Sequence, residues 1–202
     1  MTNEEIEQLF EKDSLDAAPA LIGKIISYDG RKIRITETEA YGDNDPFCYG
    51  VRYGKTVKNS VSFRKGGFVF IYCGMLMFTT GKEDNHPQNV LIRKAEVLDD
   101  VKAPCNGPCN LLKHLGEPKA LREKLNGERI GVNVKIIDDG MKCENKDPVK
   151  RGWFNVEKTK EDIEKRKKKH QEDLTLQKIT SSEVERFADI KWRFTMKNKK
   201  RS

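Results

Sequence analysis

The chain has 202 residues, of which 36% are apolar and 35% charged, with a net charge of +7 and an isoelectric point near 9.1. That length fits a single globular domain, and no apolar run reaches the roughly 20 residues that a bilayer-spanning helix needs. The basic excess favours a polyanionic partner, because Lys and Arg that neutralise phosphates release bound counterions; a Lys-rich surface with no such partner is the plainer reading of the same charge.

The start, MTNEEIEQLF, is acidic and lacks the apolar core of a secretory leader, which points to the cytoplasm or nucleus and to reduced thiols. The five cysteines, Cys48, Cys73, Cys105, Cys109 and Cys143, are odd in number. Cys105 and Cys109 have no second pair to complete a zinc site, and His86, His114 and His170 are scattered, so neither metal nor cofactor is expected.

In chain order, residues 3–11 predict a short helix with Ile6, Leu9 and Phe10 on one face, and a second helical turn runs from Asp16 to Gly23. Residues 24–28 and 31–38 predict two strands joined at Asp29-Gly30, a two-residue hairpin signal. The polar stretch 42–66 reads as a long loop, which inside a compact domain points to function or disorder. Residues 67–80 predict a buried hairpin broken at Gly74, and 89–98 a buried strand. Residues 107–116 predict a helix opened by Pro108 and closed by Gly116, and 130–138 an alternating strand. Residues 156–175 form a charged insertion with few apolar positions, expected to be an exposed helix, or partly disordered. Residues 186–196 turn apolar and aromatic again and are expected to dock back on the core before a basic tail.

Strand side chains repeat every two residues, so Glu37, Glu39 and Tyr41 share one face at the end of the second strand. Cations follow at Arg52, Lys55, Lys58, Arg64 and Lys65. A carboxylate beside a cationic loop and aromatic rings suits a place where a base stacks and a water is activated. Solvated strand-end carboxylates are the ordinary alternative.

The stretch TETEAYGDNDPFCYGVRYGKTVKNSVSF resembles the alkyladenine DNA glycosylase family, whose members carry a motif like VETEAYLGPEDPASH followed by RGRTPRN. Leu21-Ile-Gly-Lys24, Phe68 to Met75, Val90 to Arg93, Gly107-Pro108 with Asn110-Leu111, and Trp192-Arg193-Phe194 are similar to further family segments in the same order. The likeness covers residues 13–135 and 186–196.

It implies an α+β fold: one compact domain over residues 1–202, a curved antiparallel sheet ringed by helices, like the C-terminal domain of the formyltransferases. It also implies a monofunctional enzyme that flips a damaged, alkylated or deaminated purine out of double-stranded DNA and hydrolyses its N-glycosidic bond. Such an enzyme acts as a monomer, without metal or membrane. On the family's pattern Glu39 is the general base and Arg93 helps hold the water and backbone. Tyr41 stacks on the extruded base.

Several positions depart from the pattern. The family's pocket histidine falls on Tyr49, its second stacking tyrosine on Phe70, its intercalating tyrosine on Cys73 and its pocket asparagine on Thr80. Met75, or Tyr72, can take the role of wedge. Val57 replaces a proline, while Arg52, Lys55, Lys58 and Asn59 keep the DNA-binding character of the loop. The altered base-selecting positions leave open a DNA-binding homologue with weak or no catalysis. An RNA-binding module is a third reading, because a similar sheet serves RNA-recognition domains.

Overall fold

A computed structural model describes residues 1–99, 105–141, 143–152 and 154–197. Helix α1 (Asn3–Phe10) opens with a capping box: the Thr2 side chain accepts from the Glu5 amide, and the Glu5 side chain accepts from the Thr2 amide. Helix α2 (Ser14–Ala20) follows and covers the core face of the sheet.

The described residues hold a seven-stranded antiparallel sheet. Its strands are β1 (Ile25–Tyr28), β2 (Arg31–Tyr41), β3 (Val69–Tyr72), β4 (Met75–Thr79), β5 (Asn89–Val97), β6 (Lys135–Ile137) and β7 (Arg193–Thr195). The spatial order is β3-β4-β5-β2-β1-β6, with β7 added on β2 beyond the end of β1. Both predicted hairpins form through two-residue turns with positive φ, at Asp29-Gly30 and Cys73-Gly74.

Strand β2 runs three residues past the predicted end at position 38, because two partners hold it. It pairs with β5 along its length, and β7 pairs with Glu37, Thr38 and Glu39. The predicted strand 130–138 shrinks to β6. Gly131 turns the chain back at φ +104°, its amide bonding the Val134 carbonyl, and Val132 is left exposed.

One core lies between the sheet and helices α1, α2, α4 (Pro108–Leu115) and α5 (Pro118–Leu125). A second cluster forms on the other side of the molecule around Phe47, Val51, Ile163, Leu176, Val184 and Phe187. The charged insertion forms the expected helix, but it is not wholly exposed. Residues Val156–Lys169 form helix α6, which buries Thr159 and Ile163 against α3 (Tyr49–Tyr53) and α8 (Ser181–Asp189). A single apolar residue per face is enough because α8 supplies Val184 and Phe187 opposite it. Helix α3 itself lies within the stretch read as a loop. It approaches closely at Gly50, where a Cβ would stand 2.3 Å from Pro87.

Candidate active site

The site is created by an irregularity in the sheet. Ile33 and Ile35 of β2 point into the main core, as do Ala40 and, by its hydrogen bond to the Ala18 carbonyl, Thr38. The change from odd to even positions occurs at register shifts between Ile35 and Thr38. An extra residue in a ladder reverses which face the following side chains occupy. The shifts therefore turn Glu37, Glu39 and Tyr41 away from the main core, together with Leu91 and Arg93 on β5, Phe70 on β3 and Met77 on β4.

All of these but Glu37 floor a cleft of about 340 Å³, walled by Phe47, Cys48, Tyr49 and Arg52 from the α3 region and by Phe154 and Asn155 at the start of α6. Glu39 is 1% exposed. Its Oε2 accepts a 2.9 Å hydrogen bond from the Tyr41 hydroxyl. Its Oε1 has no hydrogen-bond partner among the described residues, although Arg93 Nε stands 3.4 Å away.

Burial pushes the Glu39 carboxyl above the usual carboxylate range; Arg93, the Tyr41 hydrogen bond, Arg193 and Arg151 oppose it without cancelling it. Glu37 has the opposite balance. Burial raises its carboxyl, but hydrogen bonds from Arg193 at 2.7 Å and Lys94 at 3.1 Å outweigh burial and hold it low. Arg93 stands 3.2 Å from Glu37, so one guanidinium lies between two carboxylates of unlike basicity. Glu39 is thus the more basic of the pair, and its Oε1 is unpaired among the described residues.

Behind Tyr41 lies a buried ion pair of Arg151 and Asp45, both side chains fully excluded from solvent. The Arg151 guanidinium donates to the Ala40 carbonyl and lies 4.7 Å from the Tyr41 ring centre and 5.1 Å from that of Trp192. Arg151 and Asp45 are not among the residues lining the cleft, and Arg151 packs against the Tyr41 ring.

The structure brings together Glu39, Arg93, Tyr41, Tyr49, Phe70 and Met75, with Arg52 at the wall. Thr80, expected in the pocket, lies outside it. Met75 and Met77 face the cleft, which puts position 80 on the opposite parity and past the end of β4, fully buried. Cys73 sits exposed at the tip of the β3–β4 turn and does not line the cleft. Lys58 and Asn59 line a neighbouring groove that shares Tyr49 with the cleft and includes Tyr53 and Tyr72.

Asn59 serves the loop itself: it accepts from the amide and hydroxyl of Thr56 and donates to the Gly54 carbonyl. Lys55 is exposed and hydrogen-bonds Asn85 at 3.2 Å. Arg52 is paired with Asp162 of α6 at 2.6 Å.

Residues absent from the sequence reading of the site include Arg151, Asp45, Asn89 and Phe154. Asn89 had a signal, since positions 89, 91 and 93 share one face of a strand. Arg151 lies 110 residues from Tyr41 and had none. Among the described residues no group of three or more His, Cys, Asp or Glu side chains could hold a metal ion. No described helix is long and apolar enough to cross a membrane.

A family profile for methylpurine-DNA glycosylase matches residues 8–200. A Rickettsia felis protein named for 3-methyladenine DNA glycosylase is 36% identical over 115 residues, which are 54% of this chain and 64% of that protein. A similarly named Wolbachia protein is 36% identical over 121 residues, 57% of this chain and 71% of its own length. An Arabidopsis thaliana DNA-3-methyladenine glycosylase is 43% identical over 65 residues, 32% of this chain and 25% of that protein. The aligned stretch spans less than two thirds of the Rickettsia relatives, at 64% and 62% of their lengths.

Proposed function

We propose, for a chain that belongs to the methylpurine-DNA glycosylase family, that it hydrolyses the N-glycosidic bond of damaged purines in double-stranded DNA. The observation that carries this reading is Glu39: buried at the floor of an aromatic cleft, with one carboxylate oxygen held and the other without a partner among the described residues.

A purine is extruded into the cleft and stacks against Tyr41, Tyr49 and Phe70. Glu39 Oε1 accepts a proton from a water as that water's oxygen bonds to C1′ of the deoxyribose. The bond from C1′ to the base nitrogen breaks, and its electron pair leaves with the base. As positive charge develops on the sugar, the carboxylate stabilises it in a site of low dielectric. A base made cationic by alkylation departs neutral and needs no acid to protonate it. Arg93 holds Glu39 and Glu37 in place and faces the backbone of the extruded nucleotide. No covalent link to the protein forms, so the strand is left intact with an abasic site.

The exposed Lys55 and Lys58 contact phosphates near the cleft mouth, while Met75, with Tyr72 beside it, fills the space that the base leaves. Alkylated and deaminated purines are both candidate substrates. All these groups come from one chain, which acts as a monomer where the cell keeps its DNA, in the cytoplasm or the nucleus.

The test is to incubate the protein with duplexes carrying methylated or deaminated purines and to separate the released bases by chromatography. Free base with an unbroken strand is the expected result; no base from any duplex overturns the reading. The small side chain of Cys73 at the turn tip favours a second reading, binding without release. Salt-dependent binding to undamaged duplex with no base released would support it.

A further inference from the structure

Asn89 begins β5 opposite Tyr41, and Leu91 is opposite Glu39. It lines the cleft and is 1% exposed. Its amide nitrogen donates to the Ser62 hydroxyl at 2.8 Å and to the Cys48 sulfur at 3.9 Å. The Cys48 thiol in turn donates to the Pro87 carbonyl at 3.1 Å, so its sulfur can only accept from Asn89. This network favours the amide nitrogen on the side of Ser62 and Cys48. The opposite end, Oδ1, has no hydrogen-bond partner among the described residues. A buried carbonyl oxygen without a partner is costly, and in a binding cleft it marks where a ligand donor belongs.

Its place along the strand defines the donor. Asn89 lies two residues beyond the position paired with Glu39, a step of about 7 Å along the sheet. With C1′ at Glu39 and the base lying over Tyr41, that step reaches the far edge of the six-membered ring.

We propose that Asn89 is a specificity-determining residue whose Oδ1 accepts a hydrogen bond from the 6-amino group of the extruded base. This rests on the glycosylase reading and narrows it to alkylated adenines. A deaminated base such as hypoxanthine presents an oxygen at that place. Two acceptors then face each other with no donor between them, and the 6-oxo base is rejected.

The experiment compares the wild type with Asn89→Leu, which removes the acceptor, and Asn89→Asp, which keeps one. Two readouts are taken: release of 3-methyladenine and of hypoxanthine from duplex DNA, and calorimetric binding of the two free bases, which needs no bond cleavage. In the wild type 3-methyladenine is preferred in both. Asn89→Leu lowers that preference by about tenfold or more, as expected for loss of one buried hydrogen-bond acceptor, and Asn89→Asp keeps it. Melting curves confirm that each variant is folded; if Asn89→Leu is not, preference retained by Asn89→Asp in the binding readout decides.

Equal preference in wild type and folded Asn89→Leu, loss of preference in folded Asn89→Asp, or no binding of either free base overturns the assignment. Selective binding of the free bases with no release from DNA contradicts the hydrolytic reading and leaves the Asn89 contact standing.

Discussion

Tyr41 donates its hydroxyl to one oxygen of Glu39 at 2.9 Å, and the other oxygen of that buried carboxylate has no hydrogen bond among the described residues. The two are neighbours on one strand face, and the pairing leaves the carboxylate with one anchored oxygen and one that is unpaired among the described residues. Burial raises the Glu39 carboxyl, and the Tyr41 hydrogen bond is among the groups that limit the rise. A general base works when deprotonated. Base release is therefore expected to increase with pH through a midpoint above the ordinary carboxylate range. Tyr41→Phe removes a bond that favours the charged form and should shift that midpoint to still higher pH while slowing release. A pH–rate profile under single-turnover conditions checks both; an unmoved midpoint in the variant would detach Tyr41 from Glu39.

Arg151 and Asp45 form a fully buried ion pair behind the Tyr41 ring. Arg151→Met leaves the Asp45 carboxylate in the interior with its main cation gone. Removing one partner of such a pair destabilises by about 3–5 kcal/mol. Urea denaturation should show a loss of that order, and a loss below about 1 kcal/mol would mean the pair contributes little beyond a surface one.

Arg52 lines the cleft wall yet is held by Asp162 of α6. Asp162→Asn removes the carboxylate charge and leaves Arg52 available to a DNA phosphate. Each added phosphate contact steepens the salt dependence of duplex binding by about 0.9 in log–log slope. Titrations at several salt concentrations should show that increase, and an unchanged slope would place Arg52 away from the DNA.

Thr80 is fully buried outside the cleft, with its hydroxyl unpaired among the described residues. Thr80→Val replaces that hydroxyl with a methyl of similar size. It is expected to leave the ratio of substrates unchanged and to hold or raise stability, since an unsatisfied buried polar group carries a penalty of about 1–3 kcal/mol. A changed ratio of released bases would return position 80 to the pocket.

The sequence made most of the sheet legible, because β1, β2, β4 and β5 alternate or run apolar and the hairpin turns carry Asp29-Gly30 and Gly74. Glu39 and Tyr41 were readable from strand parity and the resemblance together, and Arg93 from the resemblance alone. Parity failed where the ladder shifts, since a bulge leaves no local mark: nothing in RITETEAY announces that Ile35 and Thr38 share a face. Helix α6 looked solvated because its apolar face is completed by α8, a partner that the local sequence does not reveal. The Arg151 side of the site was hidden for the same reason, its partners being distant in the chain.

Single-turnover release of 3-methyladenine from duplex DNA, in the wild type and in Glu39→Gln, reaches the proposed chemistry most directly. With proton transfer to Glu39 at its centre, the variant should release base at least about a hundredfold more slowly while binding duplex DNA nearly as well. Release at the wild-type rate by a folded, DNA-binding Glu39→Gln protein would contradict it.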